Sequence, residues 1–247
     1  MGELRTQAVV LRAKAYREAD RLVTLLTRDA GKVTIVARGT KKAKSKFAAL
    51  VEPLTLGHFL LHRGKSLDTL IQGEIIKAYG SLRMDLLLFA YGQYFCELCE
   101  RVLPEGEEAV SVFTLLVAAL ELLGTEKDAA RVARCFELSL LDELGFRPAL
   151  EGCRNCGGTD GPFRFDPETG SLVCGDCPAG GGSFQVSGAT VAVMRRFLEL
   201  GFHKLSVCSV SPQVSSEIHK TAAATFHASL GLSHFKSLDF LKILENC

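Results

Sequence analysis

The chain has 247 residues, 47% of them hydrophobic, and its Lys and Arg nearly balance its Asp and Glu at a formal net charge of +1. That composition supplies a core and excludes a disordered, highly charged segment. Its longest apolar runs, such as Leu86 to Tyr91 and Leu115 to Leu120, fall far short of the roughly 18 residues that a membrane-spanning helix needs. The opening residues Met1-Gly2-Glu3-Leu4-Arg5-Thr6 contain no apolar leader core, so no membrane association and a cytoplasmic location are expected. Gly2 and Thr6 fit the loose myristoylation pattern, but so short a pattern recurs by chance.

The informative quantity is where the charge lies. Residues 1–80 hold 15 Lys and Arg against 7 Asp and Glu, and residues 81–247 hold 14 against 21. Most of the excess is in residues 1–50, with 12 basic and 4 acidic side chains. Such a surface suits a polyanion; a solvated face without a ligand is the plain alternative.

In chain order, alternating aliphatic and polar residues predict five strands at Thr6 to Ala15, Arg21 to Arg28, Lys32 to Arg38, Leu50 to Leu61 and Leu67 to Tyr79. The short polar turn Tyr16 to Asp20 separates the first two, and Asp29-Ala30-Gly31 forms a hairpin connection. Five short strands suit a small closed barrel, of the OB-fold or the SH3-like kind.

From Ser81 the period becomes helical. Helices are expected over Ser81 to Leu103, Glu107 to Leu123 and Glu126 to Leu144, with Thr125 and Asp128 as a capping box and Gly145 as terminator. Ser187 caps a helix ending at Leu200, Ser211 and Pro212 open another that reaches Leu230, and Phe235 to Leu244 forms a short final one. The fold class is therefore α+β. A five-stranded barrel domain over residues 1–80 precedes a helical domain over 81–247, which carries a cysteine-rich insertion at about 150–185.

Cys153-Arg154-Asn155-Cys156 and Cys174-Gly175-Asp176-Cys177 are two Cys-x-x-Cys pairs with 17 residues between them, the spacing of a four-cysteine zinc site. Phe163 to Phe165 and Ser171 to Val173 flank a hairpin loop between the pairs, which makes the insertion a zinc ribbon. Four thiolates fill a tetrahedral zinc ion, so one structural Zn2+ and no metal catalysis are expected. Cys96 and Cys99 lie in an apolar helical run and read as buried thiols; Cys135, Cys208 and Cys247 are single and read as inert. His219 and His227 read as surface or packing residues.

Arg38, Lys41, Lys42, Lys44 and Lys46 crowd the connection after the third strand, and Arg12, Lys14, Arg17 and Arg21 lie in and beside the first strand turn. These nine are the candidate DNA-binding residues, contacting phosphates in a salt-dependent way. Phe47 is the only ring in the basic loop, which predicts phosphate contact with little base stacking.

Ala8-Val9-Val10-Leu11 leading into Asp20-Arg21-Leu22-Val23, then Gly31-Lys32-Val33-Thr34 and Ala37-Arg38-Gly39, resembles the N-terminal barrel of the bacterial RecO family. The run Phe136 to Pro148 (Phe-Glu-Leu-Ser-Leu-Leu-Asp-Glu-Leu-Gly-Phe-Arg-Pro), followed by Cys153 and Cys156, is similar to that family too. The resemblance implies an OB-fold and binding of single- and double-stranded DNA. It also implies annealing of complementary strands, and action with RecR to load RecA on DNA coated by single-strand-binding protein, at the bacterial nucleoid. No catalytic residue is expected: the acidic residues are scattered and neither a phosphate-binding glycine loop nor a nucleophile motif is present. A nucleic-acid enzyme and a zinc-ribbon adaptor that binds only proteins are the rival readings.

Overall fold

The computed structural model describes residues 2–245, apart from the side chains of Ser206, Val207 and Glu245. Cys247, expected to be an inert thiol, lies outside the described residues, as does Met1. The chain forms two compact units, one of residues 1–125 with 235–247 and the other of residues 126–234.

The first unit begins with β1 (Glu3–Ala15), β2 (Arg21–Thr27), β3 (Gly31–Ala37), β4 (Leu56–His62) and β5 (Asp68–Lys77). They close into a barrel in the order β1-β2-β3-β5-β4, a Greek-key arrangement that resolves the choice of barrel in favour of the OB-fold. β1 serves two neighbours: Glu3 to Val9 pair with β4, and Ala8 to Ala15 pair with β2 across an irregularity between Val10 and Arg12. The weak seam is β3 against β5, where only Ile35↔Asp68 and Val36↔Thr69 pair, in parallel.

Leu50 and Val51, expected to open the fourth strand, instead belong to turns, and the strand starts at Leu56. Burial explains the difference. Leu50 is 2% exposed and Val51 fully buried within the barrel core with Val10, Ile35, Phe59 and Leu61. A methyl group on Gly57 or Gly73 would stand only 2.7 or 2.5 Å from Leu50 side-chain carbons. The two glycines thus leave the space that this leucine fills. These apolar residues, which read from sequence as strand, serve as a plug.

Beside β3, Gly106 N–H donates to the Lys32 carbonyl at 2.9 Å. A side chain at Gly31, whose φ is +62°, would collide with the Glu107 carbonyl. Residues 105–107 therefore run along the strand, and the helix expected from Glu107 begins only at Val110.

α1 (Gly80–Met84), α2 (Leu86–Val102), α3 (Val110–Leu123) and α7 (Lys236–Glu245) complete this unit. The single helix expected from Ser81 to Leu103 is broken at Asp85. Its extended backbone and side chain, which accepts from the Leu87 and Leu88 N–H groups, make it the N-cap of α2. α2 packs against α1, α3, α7 and β1. Glu97 of α2 caps α7 across the chain, accepting from the N–H groups of Lys236 at 3.1 Å and Ser237 at 2.9 Å and from the Ser237 hydroxyl at 2.5 Å. Phe235 is held edge-on to Tyr94, with ring centroids 5.9 Å apart.

The second unit contains α4 (Ala129–Glu143), β6 (Ala149–Cys153), β7 (Phe163–Asp166), β8 (Ser171–Cys174), β9 (Phe184–Val186), α5 (Gly188–Leu200), a 3₁₀ stretch (Gly201–Val207) and α6 (Pro212–Leu230). α4 is capped by Asp128 alone, whose carboxylate accepts from Arg131 N–H; Thr125 bonds back to the Glu121 and Leu122 carbonyls, so no capping box forms. Ser187 and Ser211 cap α5 and α6 as expected, and Gly201 and Gly231 end them. α4, α5 and α6 pack on one another. At the α4–α6 contact, fully buried Glu137 pairs with Arg134 at 2.9 Å and with His219 Nδ1 at 3.0 Å.

Glu217 of α6 clamps the start of α5. Its carboxylate accepts from Ser187 N–H at 2.8 Å and the Thr190 hydroxyl at 2.6 Å, and Gln213 donates to its other oxygen. Although burial alone would raise it, these donors, Thr190 first, bring its pKa from 4.5 down to about 2. A carboxyl depressed by folding adds stability above its ordinary value and loses that contribution as pH falls through the folded value. Glu217→Gln should therefore cost about 1 kcal/mol at neutral pH and reduce the loss of stability between pH 4.5 and about 2; urea unfolding across that range checks both.

Candidate nucleic-acid interface and metal centre

Barrel register decides which cations meet. Ala15 faces Arg21 across β1 and β2, and Arg21 faces Ala37 across β2 and β3, so the β1–β2 turn and the connection after β3 leave from the same end. Hydrogen bonds stitch them together. Lys41 N–H donates to the Ala19 carbonyl at 3.0 Å and Gly39 N–H to the Asp20 carboxylate at 2.9 Å. Further along, Glu52 returns to Arg21 at 2.5 Å. The stretch carrying Lys42, Lys44 and Lys46 is thus tied at both ends to the β1–β2 turn.

Lys14, Arg17, Arg38, Lys41, Lys42, Lys44 and Lys46 are all exposed. Lys46 Nζ lies 4.7 Å from the centre of the Phe47 ring, which is itself half sunk against the barrel core. Arg21 joins this end but is engaged by Glu52, with 26% of its side chain exposed. A partly exposed pair of that kind is worth only about 0–1 kcal/mol, so a phosphate can replace Glu52 at little cost.

Arg12 stands apart. It lies opposite Thr24, inside the barrel wall, and its guanidinium bonds Glu100 of α2 at 3.0 Å. There it lines a cleft of about 650 Å³ together with Lys32, Glu97 and Phe240. Eight of the nine expected cations therefore gather at one barrel end and the ninth faces a helix.

One residue of this end escapes a search for runs of charge: Tyr16, whose ring is 41% exposed at the β1–β2 turn. A lone tyrosine in a polar turn carries little sequence signal; the barrel register supplies it. At the other end of β1, where Glu3 faces His62, the β4–β5 loop carries exposed Lys65 and Arg63 bound to Asp68 at 3.2 Å.

In the second unit, β6-β8-β7-β9 form a four-stranded sheet, larger than the hairpin read between the cysteine pairs. Cys153, Cys156, Cys174 and Cys177 converge there, their sulfurs all within 4.8 Å of one another. Cys156 Sγ and Cys174 Sγ are 3.7 Å apart, close to the roughly 3.8 Å edge of a tetrahedron of thiolates about 2.3 Å from one ion. The donor set and its dimensions fit a tetrahedral metal ion, and no other group of three or more His, Cys, Asp or Glu side chains placed to hold an ion is found among the described residues.

The backbone builds the first knuckle through Cys153 N–H to Gly158 O at 2.7 Å and Gly157 N–H to Cys153 O at 2.8 Å, with Gly157 at φ +75°. Arg164 organises the second, donating to the Cys174 carbonyl at 3.2 Å and the Cys177 carbonyl at 2.7 Å. Asn155 spans both by bonding the Pro178 carbonyl at 3.0 Å.

Backbone N–H groups, that of Cys174 foremost, draw the Cys153 thiol down to about 6 against the opposing effect of burial. Cys177 is pushed up to about 12 by the Cys174 sulfur and then by Cys156. Cys156 is lowered by Gly158 N–H, but the Cys153 and Cys174 sulfurs leave it above its ordinary value. One thiolate is welcome and further ones repel it, so a cation is what lets all four ionise together.

The remaining thiols contrast with these. Cys96 and Cys99 are buried in α2, where burial pushes both up, Cys99 to about 12; Cys135 is driven to about 12 in the same way. Cys208 is buried as well. No helix among the described residues is long and apolar enough to cross a membrane.

Comparison with known proteins bears on the whole chain. Residues 1–79 match the model of "Recombination protein O N terminal" and residues 83–239 that of "Recombination protein O C terminal". A DNA repair protein RecO of Symbiobacterium thermophilum is 34% identical, over 100% of this chain and 99% of its own length. One from Bacillus pumilus is 32% identical over 98% and 95%, and one from Pelotomaculum thermopropionicum 34% identical over 95% and 93%. With both halves matched and relatives of this identity aligned end to end, the chain belongs to the RecO family.

Proposed function

We propose that the protein is a DNA-binding recombination mediator in DNA repair, which anneals complementary single strands and, with RecR, promotes RecA loading on DNA coated by single-strand-binding protein. A role in DNA repair and recombination accords with family membership and with relatives that are DNA repair proteins. The observation that carries the finer reading is the gathering of exposed Lys14, Arg17, Arg38, Lys41, Lys42, Lys44 and Lys46 around one barrel end.

The mechanism is electrostatic. Two complementary strands repel through their phosphates, and a surface that neutralises both lowers that barrier while leaving base edges free to pair. Flexible lysines hold phosphates without fixing sequence. The role is one of binding and mediation, with no bond made or broken by the protein, and its partners are single- and double-stranded DNA, RecR and single-strand-binding protein. Working on DNA places it in the bacterial cytoplasm at the nucleoid.

For the metal centre we infer zinc, held by Cys153, Cys156, Cys174 and Cys177. Bound there with all four positions filled, it cross-links two knuckles and offers no site to a substrate. Arg164, beside both carbonyls of the second pair, adds positive charge next to a cluster that would carry a net −2.

Reversing Lys41, Lys42, Lys44 and Lys46 to Glu should weaken DNA binding about tenfold or more at low salt, to a similar degree for unrelated sequences, and flatten the dependence of affinity on salt. Annealing of complementary oligonucleotides should slow in parallel; unchanged affinity and annealing would refute this surface. A mobility-shift measurement on plain oligonucleotides separates the reading from that of an adaptor that binds only proteins. Cys153→Ser with Cys174→Ser should abolish zinc binding, measured by metal analysis, and destabilise residues 126–234 while the barrel still binds DNA. A double variant of normal stability and zinc content contradicts the assignment.

A further inference from the structure

Tyr16 opens the β1–β2 turn, and its N–H donates to the Asp20 carbonyl at 3.0 Å, which closes the turn and fixes where the ring projects. The ring is 41% exposed. Arg17 lies over it, with its guanidinium carbon 5.2 Å from the ring centre. Exposed Arg38, Lys41 and Lys42 follow on the stretch pinned to the same turn through Ala19 and Asp20. Phe47, the other ring at this end, packs against the barrel core under Lys46. Tyr16 is therefore the one strongly exposed ring among the described residues of the cationic end, and it sits where a bound strand would be held by its phosphates.

An aromatic face on a cationic track has a chemical counterpart in an unpaired nucleobase, which stacks on rings whatever its sequence. Bases inside a duplex have both faces covered by their neighbours and cannot reach it. We infer that Tyr16 is the stacking platform for one base of single-stranded DNA, with Arg17 and the lysines of the connection on the flanking phosphates. This rests on the reading that the barrel end binds DNA, and deepens it by naming the form of DNA preferred.

The ring gives annealing a direction. A base on Tyr16 anchors a single strand; when that base pairs and stacks within a growing duplex it leaves the ring, and the duplex is held by phosphate contacts alone. Substrate is gripped more firmly than product.

The test uses the full chain with a labelled single strand and a duplex of equal length, read by fluorescence anisotropy at fixed salt. Tyr16→Ala should weaken single-strand binding about tenfold, change duplex binding less than about twofold, and leave the salt slope as it was, whereas the lysine reversals lower both affinities and flatten that slope. Tyr16→Phe should retain single-strand binding. The chain contains no Trp, so Tyr16→Trp adds a single indole whose emission should be quenched by single-stranded DNA and recover when the complementary strand is added. Equal losses for both DNA forms, or no loss for either, would overturn the stacking role while leaving the DNA-binding surface in place. Failure of the unsubstituted protein to bind either form would overturn both.

Discussion

The barrel interior has to be filled, and much of the cationic end follows from how that is done. The strands enclose a core that they do not fill on their own. The chain fills it from the β3–β4 connection with Leu50 and Val51, Leu50 lying against Gly57 of β4 and Gly73 of β5. Burying one leucine in this way is worth about 1.5–3 kcal/mol, and doing so draws in the connection that precedes it. Lys41, Lys42, Lys44 and Lys46 are thereby kept at one end. Asp20 and Glu52 reinforce that arrangement by binding Gly39 N–H and Arg21. Two carboxylates hold in place a surface on which cations outnumber the one further acid, exposed Glu18 of the β1–β2 turn.

Much of this was legible in the sequence. Five strands, the caps at Ser187 and Ser211, and the convergence of Cys153, Cys156, Cys174 and Cys177 all follow from short-range patterns. Local chemistry fails where a residue's role is decided by a distant partner. Leu50 and Val51 have strand chemistry and act as a plug. Leu86 to Leu88 look like the middle of a long helix, yet Asp85 starts a new one there. Glu107 belongs to a segment fixed by the absence of a side chain at Gly31, 76 positions earlier in numbering. Arg12 counts as a free cation until α2 brings Glu100 to it. Tyr16 carries no signal until strand register places its turn beside the basic connection.

The two candidate sites divide the electrostatic work in opposite ways. At the barrel end, like charges are spread on long side chains in water, where mutual repulsion is screened and an anion is welcome. At the ribbon, four sulfurs are packed within 4.8 Å, where screening is weak and only a cation reconciles them. The first surface stays adaptable because it is open; the second stays rigid because it is crowded. A protein that must hold flexible DNA and keep its own shape has use for both.

Glu97 capping α7 has a consequence for synthesis. The helix that completes the first unit is made after residues 126–234, so α2 (Leu86–Val102) emerges from the ribosome with the start of its partner, Lys236, still 134 codons away. At about 5–20 residues per second, the nascent barrel unit waits of order ten seconds with one face of α2 uncovered, while the entire second unit is produced and can fold. Loss of the closing helix through early termination or nicking would strand the first unit in that same incomplete state, a ready substrate for chaperones and proteases.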